Sequence, residues 1–266
     1  TILEVPSSFN EYVVKKKMGN GTFGDVFKIE QKDSQKIFAA KISPIKINNN
    51  GNKQNENAIN EYEILKLINH PNIIKFYDAF EIECKENEKL FVIILEYCSN
   101  GSMLEYVNNR KFKNKTEKKK MMKDIITAVF FLHEMNIAHC DLKLENIMID
   151  ENFNIKLIDF GLSKNFSGKY NKRIVGSPAY AAPELFINKK KVDFFKADIW
   201  SLGVVLYAMS ERKLPYKNIH ETLKIDFEIK MKNKKLKKVI KKCFNVNQNT
   251  RPNTNYLLNS NYFKGT

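Results

Sequence analysis

His139-Cys140-Asp141-Leu142-Lys143-Leu144-Glu145-Asn146, followed by Asp159-Phe160-Gly161, is the stretch on which the fold turns. Two short apolar segments, Ile147 to Ile149 and Ile155 to Ile158, lie between these clusters around a polar turn, as in a small hairpin. Four chemistry-bearing side chains therefore stand on two loops beside apolar strands. Moving a phosphoryl group needs a carboxylate to orient and deprotonate the attacking hydroxyl, oxygen ligands for magnesium, and positive charge near the group in transit. Asp141 suits the first role, Asn146 and Asp159 the second, and Lys143 the third. A purely structural cluster of this composition is the weaker reading.

Towards the N-terminus, Gly19-Asn20-Gly21-Thr22-Phe23-Gly24-Asp25-Val26 lies between two strand-like segments. A dinucleotide fold would need a helix after these glycines and an acidic residue about 20 positions on. Val26 to Ile29 instead continues as a strand. A glycine-rich hairpin can lay its backbone over phosphates because no Cβ blocks the approach; an ordinary glycine-rich turn is the other reading. Phe38-Ala39-Ala40-Lys41-Ile42 sets a lysine in an apolar strand, an expensive place for a cation without a partner. Glu61 is the natural carboxylate, since it shares a helical stripe with Ile64, Leu65 and Ile68, whereas Glu63 points elsewhere. The alternative is a surface lysine whose stem lies along apolar neighbours.

Strand patterns cover Tyr12 to Lys17, Asp25 to Gln31, Lys36 to Ile42 and Phe91 to Glu96, with one helix over Ala58 to Ile68. Asn48 to Asn57 is polar and low in complexity, so it reads as a loop. From Thr116 the period is helical, with Met121, Ile125, Val129 and Leu132 in one stripe. Helical patterns resume at Ala197 to Met209 and run to the end. A strand-rich first third before a helical remainder predicts an α+β chain with two lobes. No apolar run approaches the ~18–20 residues of a membrane span, and Thr1 to Glu11 lacks the basic start and apolar stretch of a leader.

Cys84, Cys98, Cys140 and Cys243 are widely spaced, which suits reduced thiols better than a disulfide framework or a zinc site. A cytoplasmic protein is expected, with access to the nucleus left open. The net charge of +15 is carried almost wholly by lysine. Arginine appears only at Arg110, Arg173, Arg212 and Arg251. Readers of nucleic acid lean on arginine for bidentate contacts, so no nucleic-acid partner is expected. Along and just after Lys230 to Lys242, the residues Leu236, Val239, Ile240, Cys243 and Phe244 fall at helical spacing with lysines between them. That is a buried stripe with a solvated basic face, a docking surface being the other reading.

Taken together, and in this order, the motifs resemble the eukaryotic protein kinase family from about Tyr12 to Phe263. Ala182-Pro183-Glu184 and Asp198-Ile199-Trp200-Ser201-Leu202-Gly203 extend the match. The resemblance implies a bilobal protein-kinase fold, α+β, as one catalytic domain over 9–266. An antiparallel-sheet N-lobe with one main helix is expected over 9–97 and a mostly helical C-lobe over 98–266. It implies ATP between the lobes and Mg2+ on Asn146 and Asp159. Gly19, Asn20, Gly21, Thr22, Phe23 and Gly24 would cover the phosphates, and Lys41, paired with Glu61, would join Asp141 and Lys143 in catalysis. Met18, Val26, Ala39 and Met148 would enclose the adenine, with Leu95 as gatekeeper and Glu96 to Cys98 as hinge. Leu65, Phe76, His139 and Phe160 would form a stack anchored by Asp198, and Glu184 would pair with Arg251. The partners implied are ATP and protein substrates, the catalytic domain being monomeric.

Lys143, two residues after Asp141, and the Gly176 to Glu184 loop are similar to serine/threonine members of that family. Phe160 to Lys164 and Ser177 to Phe186 resemble the calmodulin-dependent and AMP-activated kinase group. Cys140 departs from the pattern, standing where relatives carry an arginine that pairs with a phosphate on the activation segment. The usual phosphorylated threonine corresponds to Arg173, so basal activity without phosphorylation there is expected; Ser163, Ser167, Tyr170 and Ser177 are other candidate modification sites, with Ser177 read first as part of the docking loop. Pro215 to Lys235 is shorter than the family pattern. Glu145 is retained but Ser102 and Ala208 replace carboxylates, which predicts weak selection for arginine in a substrate. Two other functions remain open at this point: a pseudokinase scaffold, against which Lys41, Asp141, Asn146 and Asp159 all stand, and a small-molecule kinase, against which the Gly176 to Glu184 peptide-docking loop stands.

Overall fold

The computed structural model describes residues 5–21, 24–47, 53–54, 56–84, 89–166, 176–186, 192–216 and 229–264. The chain divides into two units, Thr1–Ser99 and Asn100–Thr266. The first holds β1 (Ser8–Phe9), β2 (Tyr12–Gly21), β3 (Gly24–Gln31), β4 (Ile37–Pro44), β5 (Lys46–Ile47), β6 (Lys53–Gln54), α1 (Glu56–Leu65), β7 (Phe76–Glu83) and β8 (Lys89–Glu96). Six strands form one sheet in the order β1-β2-β3-β4-β8-β7, each pair antiparallel, and β5 pairs with β6 apart from it.

Alternation along the central strands assigns the two faces. Phe38, Ala40 and Ile42 of β4 and Leu90, Val92 and Ile94 of β8 are buried in one cluster with Phe27, Ile29, Phe9 and Tyr12. The intervening residues Lys41, Ile93 and Leu95 are buried too, and so belong to the opposite face. There α1 contributes Glu61, which meets Lys41, and Tyr62, whose ring meets Phe91 edge-on at 6.0 Å. The helix stops at Leu65, short of the Ile68 end expected from the stripe. Leu67 and Ile68 donate to carbonyls three residues back, a tightening that ends it. Strand β7 carries no clean alternation, since only Ile82 of its eight residues is buried, and it closes the sheet as an edge.

The second unit holds α2 (Met103–Asn108), α3 (Lys115–Glu134), β9 (Ile137–Ala138), β10 (Ile147–Ile149), β11 (Ile155–Leu157), β12 (Lys164–Asn165), α4 (Phe194–Glu211), α5 (Lys234–Cys243) and α6 (Thr254–Leu258). Its helices start at polar caps that accept from the first exposed backbone N–H groups. Ser102 and Glu105 form a reciprocal pair, and Asn114, Asp193, Asn233 and Asn253 cap alone. Part of this chain's asparagine is thereby accounted for. Helix α4 is buried almost all round, from Ala197 to Met209, and packs against α3 and α5. No helix among the described residues is long and apolar enough to cross a membrane.

Candidate active site

The loop after β9 is held from beneath by one carboxylate. Asp198, 1% exposed in α4, accepts from the backbone N–H of His139 at 2.8 Å and of Cys140 at 2.9 Å. His133 Nε2 lies 3.0 Å from the same group. Cys140 consequently sits at φ 67°, a left-handed conformation that costs energy for a residue with a Cβ. The His139 ring is fixed at both nitrogens: Nε2 faces the Ile158 carbonyl at 3.0 Å and Nδ1 faces the Asp141 N–H at 3.3 Å. A proton on Nε2 satisfies both contacts. The Phe160 ring lies 5.0 Å from it, and Asp159 before it takes φ 65°.

Asp141 is 5% exposed and uses both oxygens. Oδ2 accepts from Lys143 Nζ at 2.7 Å and from Asn146 Nδ2 at 3.0 Å. Oδ1 accepts from the backbone N–H of Ser177 at 3.0 Å and from its hydroxyl at 2.9 Å. Lys143 Nζ also donates to Ser177 Oγ at 3.0 Å. Burial by itself would push the Asp141 carboxyl up. The Lys143 ammonium and the Ser177 donors outweigh it and hold the group below the usual carboxylate range. Gly176 permits this approach, because a Cβ there would run into the Cys140 carbonyl. A small hollow beside the carboxylate, with room for about one water molecule, is lined by Asp141, Gly176, Ser177, Tyr180, Leu185 and Ser201. Ser177 as a partner of both Asp141 and Lys143, and His133 as a partner of Asp198, were not apparent from the sequence. Nothing in a serine or a histidine distinguishes such uses before the loops are placed.

Asn146, 5% exposed, also donates to the Asp141 carbonyl at 2.9 Å. Its amide nitrogen is thus committed, and its oxygen is the atom left to bind a cation. Asn146 Oδ1 with the Asp159 carboxylate is an all-oxygen donor set, which fits magnesium completed by phosphate and water. No larger cluster of potential metal ligands occurs among the described residues. Cys140 turns its thiol onto the Ala138 carbonyl at 3.6 Å. Burial first, then Asp198, pushes that thiol well above its ordinary range. Lys164, 1% exposed, lies with its ammonium 3.3 Å above the Phe194 ring.

In the first unit, Lys41 Nζ meets Glu61 Oε2 at 2.6 Å, with both side chains buried. Glu63 is exposed. Gly19 and Gly21 pair with Val26 and Gly24 across the β2–β3 hairpin. A Cβ on Gly24 would strike the Ile42 carbonyl and Ser43 Oγ, so only glycine fits there. Asn20 pairs with Asp25 in that hairpin, and Ala39 pairs with Leu95 across β4 and β8. Val26 and Ala39 are half-buried, Met18 is exposed, and Leu95 and Cys98 are buried. Glu96 accepts from the Lys75 N–H at 3.2 Å. Met148 belongs to the second unit, where it bridges to Ser102. Thr22, Phe23, Ser167, Tyr170, Arg173 and most of the Pro215 to Lys235 stretch lie outside the described residues. In the second unit Arg251 forks onto Glu184 with two bonds of 2.6 Å.

Comparison with known proteins identifies the family. The description of the protein kinase domain matches residues 12–263. A Dictyostelium discoideum protein named probable serine/threonine-protein kinase MARK-C is 40% identical over 206 residues, covering 77% of this chain and 26% of its own length. Human NUAK family SNF1-like kinase 1 is 34% identical over 78% of this chain and 30% of its own. The Saccharomyces cerevisiae cell cycle serine/threonine-protein kinase CDC5/MSD2 is 34% identical over 94% of this chain and 36% of its own. The chain thus spans between 26% and 36% of the length of these relatives. With the domain description matched over nearly its whole length, the chain belongs to the protein kinase domain family.

Proposed function

We propose that the chain transfers the γ-phosphoryl group of ATP to serine or threonine hydroxyls of protein substrates. The observation that carries this reading is the convergence of Lys143, Asn146 and Ser177 on the Asp141 carboxylate. An incoming hydroxyl would replace the Ser177 hydroxyl at Oδ1 and give its proton to Asp141 as the phosphoryl group arrives. Lys143, which donates to Asp141 Oδ2 and to the Ser177 hydroxyl that would be replaced, would offset the negative charge that accumulates. Asn146 and Asp159 would hold magnesium, which when bound neutralises charge on the phosphates. Lys41, fixed by Glu61, would orient those phosphates, with the backbone of Gly19 to Gly24 against them. Ala39, Leu95, Glu96 and Cys98 are assigned to the adenine side, together with Met18 and Val26.

The choice of serine or threonine is supported by the position of Lys143 and by the names of the relatives. The test is magnesium-dependent incorporation of labelled phosphate from ATP into a serine/threonine peptide library by the purified chain. Asp141→Asn should lose about 10²–10⁴-fold in turnover while keeping nucleotide binding, and Asp159→Ala should abolish incorporation. A wild-type chain that binds ATP and transfers nothing would overturn the proposal and leave the scaffold reading in its place.

A further inference from the structure

Helix α5 commits every apolar residue it has to the core. Leu236, Val239, Ile240 and Cys243 are buried. Its other six residues are all lysine; Lys234, Lys235, Lys238, Lys241 and Lys242 are exposed and Lys237 is half-buried. No described carboxylate forms an ion pair with any of them. Two of these lysines, Lys234 and Lys235, occupy the first turn, the positive end of the helix dipole, where an anion is favoured and a cation is not. The face therefore carries a local conflict that an external anion would relieve. It also continues beyond the helix. Lys242 lies 4.7 Å above the Tyr256 ring of α6, and Lys119 of α3 lies 5.7 Å above the Tyr262 ring just after α6. Lysines from two helices thus flank one C-terminal segment.

We infer that this lysine face docks on the anionic phospholipid headgroups of a membrane surface. The features of the face select that occupant. A protein partner would want a central apolar patch, and lysine is depleted in such interfaces; α5 exposes no apolar residue. A nucleic acid would want arginine forks and open aromatic platforms. Helices α3 and α5 contain no arginine, and the Tyr256 ring, though exposed, and the Tyr262 ring each already have an ammonium group above them. A membrane-inserting helix would need a free apolar face. What is left is an array of mobile point charges, suited to a headgroup layer whose attraction for each basic residue near it is additive and salt-sensitive.

The probe is the wild-type chain with phosphatidylcholine vesicles, with and without phosphatidylserine, in a sedimentation assay at low and high salt. Binding should need phosphatidylserine and fall steeply as salt rises. Each neutralised lysine should weaken it by about fivefold. The variant carrying Lys234→Gln, Lys235→Gln, Lys238→Gln and Lys241→Gln should lose at least ~100-fold by the same reckoning. Removing Lys234 and Lys235 relieves the first turn and offsets the loss of Lys241 from the last turn, so the melting temperature and the activity on a soluble peptide should change little. Three results would overturn the inference. They are equal binding to vesicles without phosphatidylserine, undiminished binding by the four-lysine variant, and equally tight binding of double-stranded RNA or polyglutamate at the same salt. The inference is independent of catalysis, since a chain that transfers no phosphate could still pass every arm of this test.

Discussion

Asp141 is a buried carboxylate whose neighbours, rather than solvent, decide its charge. Burial raises its pKa; Lys143 and then Ser177 lower it further than burial raises it. The carboxylate form is therefore the one present through neutral pH, and it is lost only as pH falls through a folded-state value below the ordinary one. Lys143→Met removes the largest opposing contribution and leaves burial in place. The acid limb of the kcat/KM profile should then move to higher pH, in addition to any loss of rate. A limb that stayed in place would show that Lys143 does not govern the ionisation of Asp141. At this scale the sequence was legible wherever residue type is tied to chemistry. An aspartate, a lysine and an asparagine in one short loop have few other uses. Lys164 was not legible, because a lysine stacked inside on Phe194 reads the same in a sequence as a lysine in water.

Between elements, the guanidinium of Arg251 joins the turn at Pro183–Leu185 to the first turn of α4 and to the chain just after α5. Besides Glu184 it donates to the carbonyls of Asn245 at 2.7 Å and Lys196 at 2.8 Å, and it lies 5.1 Å from the Trp200 ring. Arg251→Ala would strand the Glu184 carboxylate, 3% exposed, and should cost about 3–5 kcal/mol. For a chain of this size that is a fall of roughly 10 °C in Tm, to be read by calorimetry. An unchanged transition would mean that the pair contributes nothing net. Arg251→Lys should rescue little, since an ammonium cannot reproduce the fork. Elements announced themselves in the sequence in proportion to how much apolar surface they bury. Helix α3 buries one regular stripe, strands β4 and β8 are apolar runs buried on both faces, and all three were legible. Strand β7 buries little and was not, and α1 ends early because the turns after Leu65, not its apolar stripe, set its end.

At the scale of the whole molecule, the order of motifs along the chain gave the α+β division, whereas loops meeting across long sequence separations, such as Ser177 with Asp141, became visible only when placed. The same scale carries an expectation about regulation. The Cys140 thiol faces a carbonyl and Lys164 faces a ring, so neither presents a cation in the manner of the arginine the family usually has at the first position. The dephosphorylated chain should accordingly show appreciable initial activity, checked by mass before the assay and by rate before autophosphorylation builds up. Activity that returned only with phosphate on Ser163, Ser167 or Tyr170 would refute this.

The hold of Asp198 on the loop after β9 has its own consequence for motion in time. Loops normally trade their amide protons with water quickly, because nothing but solvent satisfies them. The amides of His139 and Cys140 end on a carboxylate inside α4, the most deeply buried of the described helices of its unit. In heavy water these two positions should take up deuterium as slowly as the middle of α4 itself, hours behind the surface turns, and Asp198→Asn should bring them forward together. The loop to which the phosphoryl-transfer proposal assigns the substrate would then be among the last of the described parts to open.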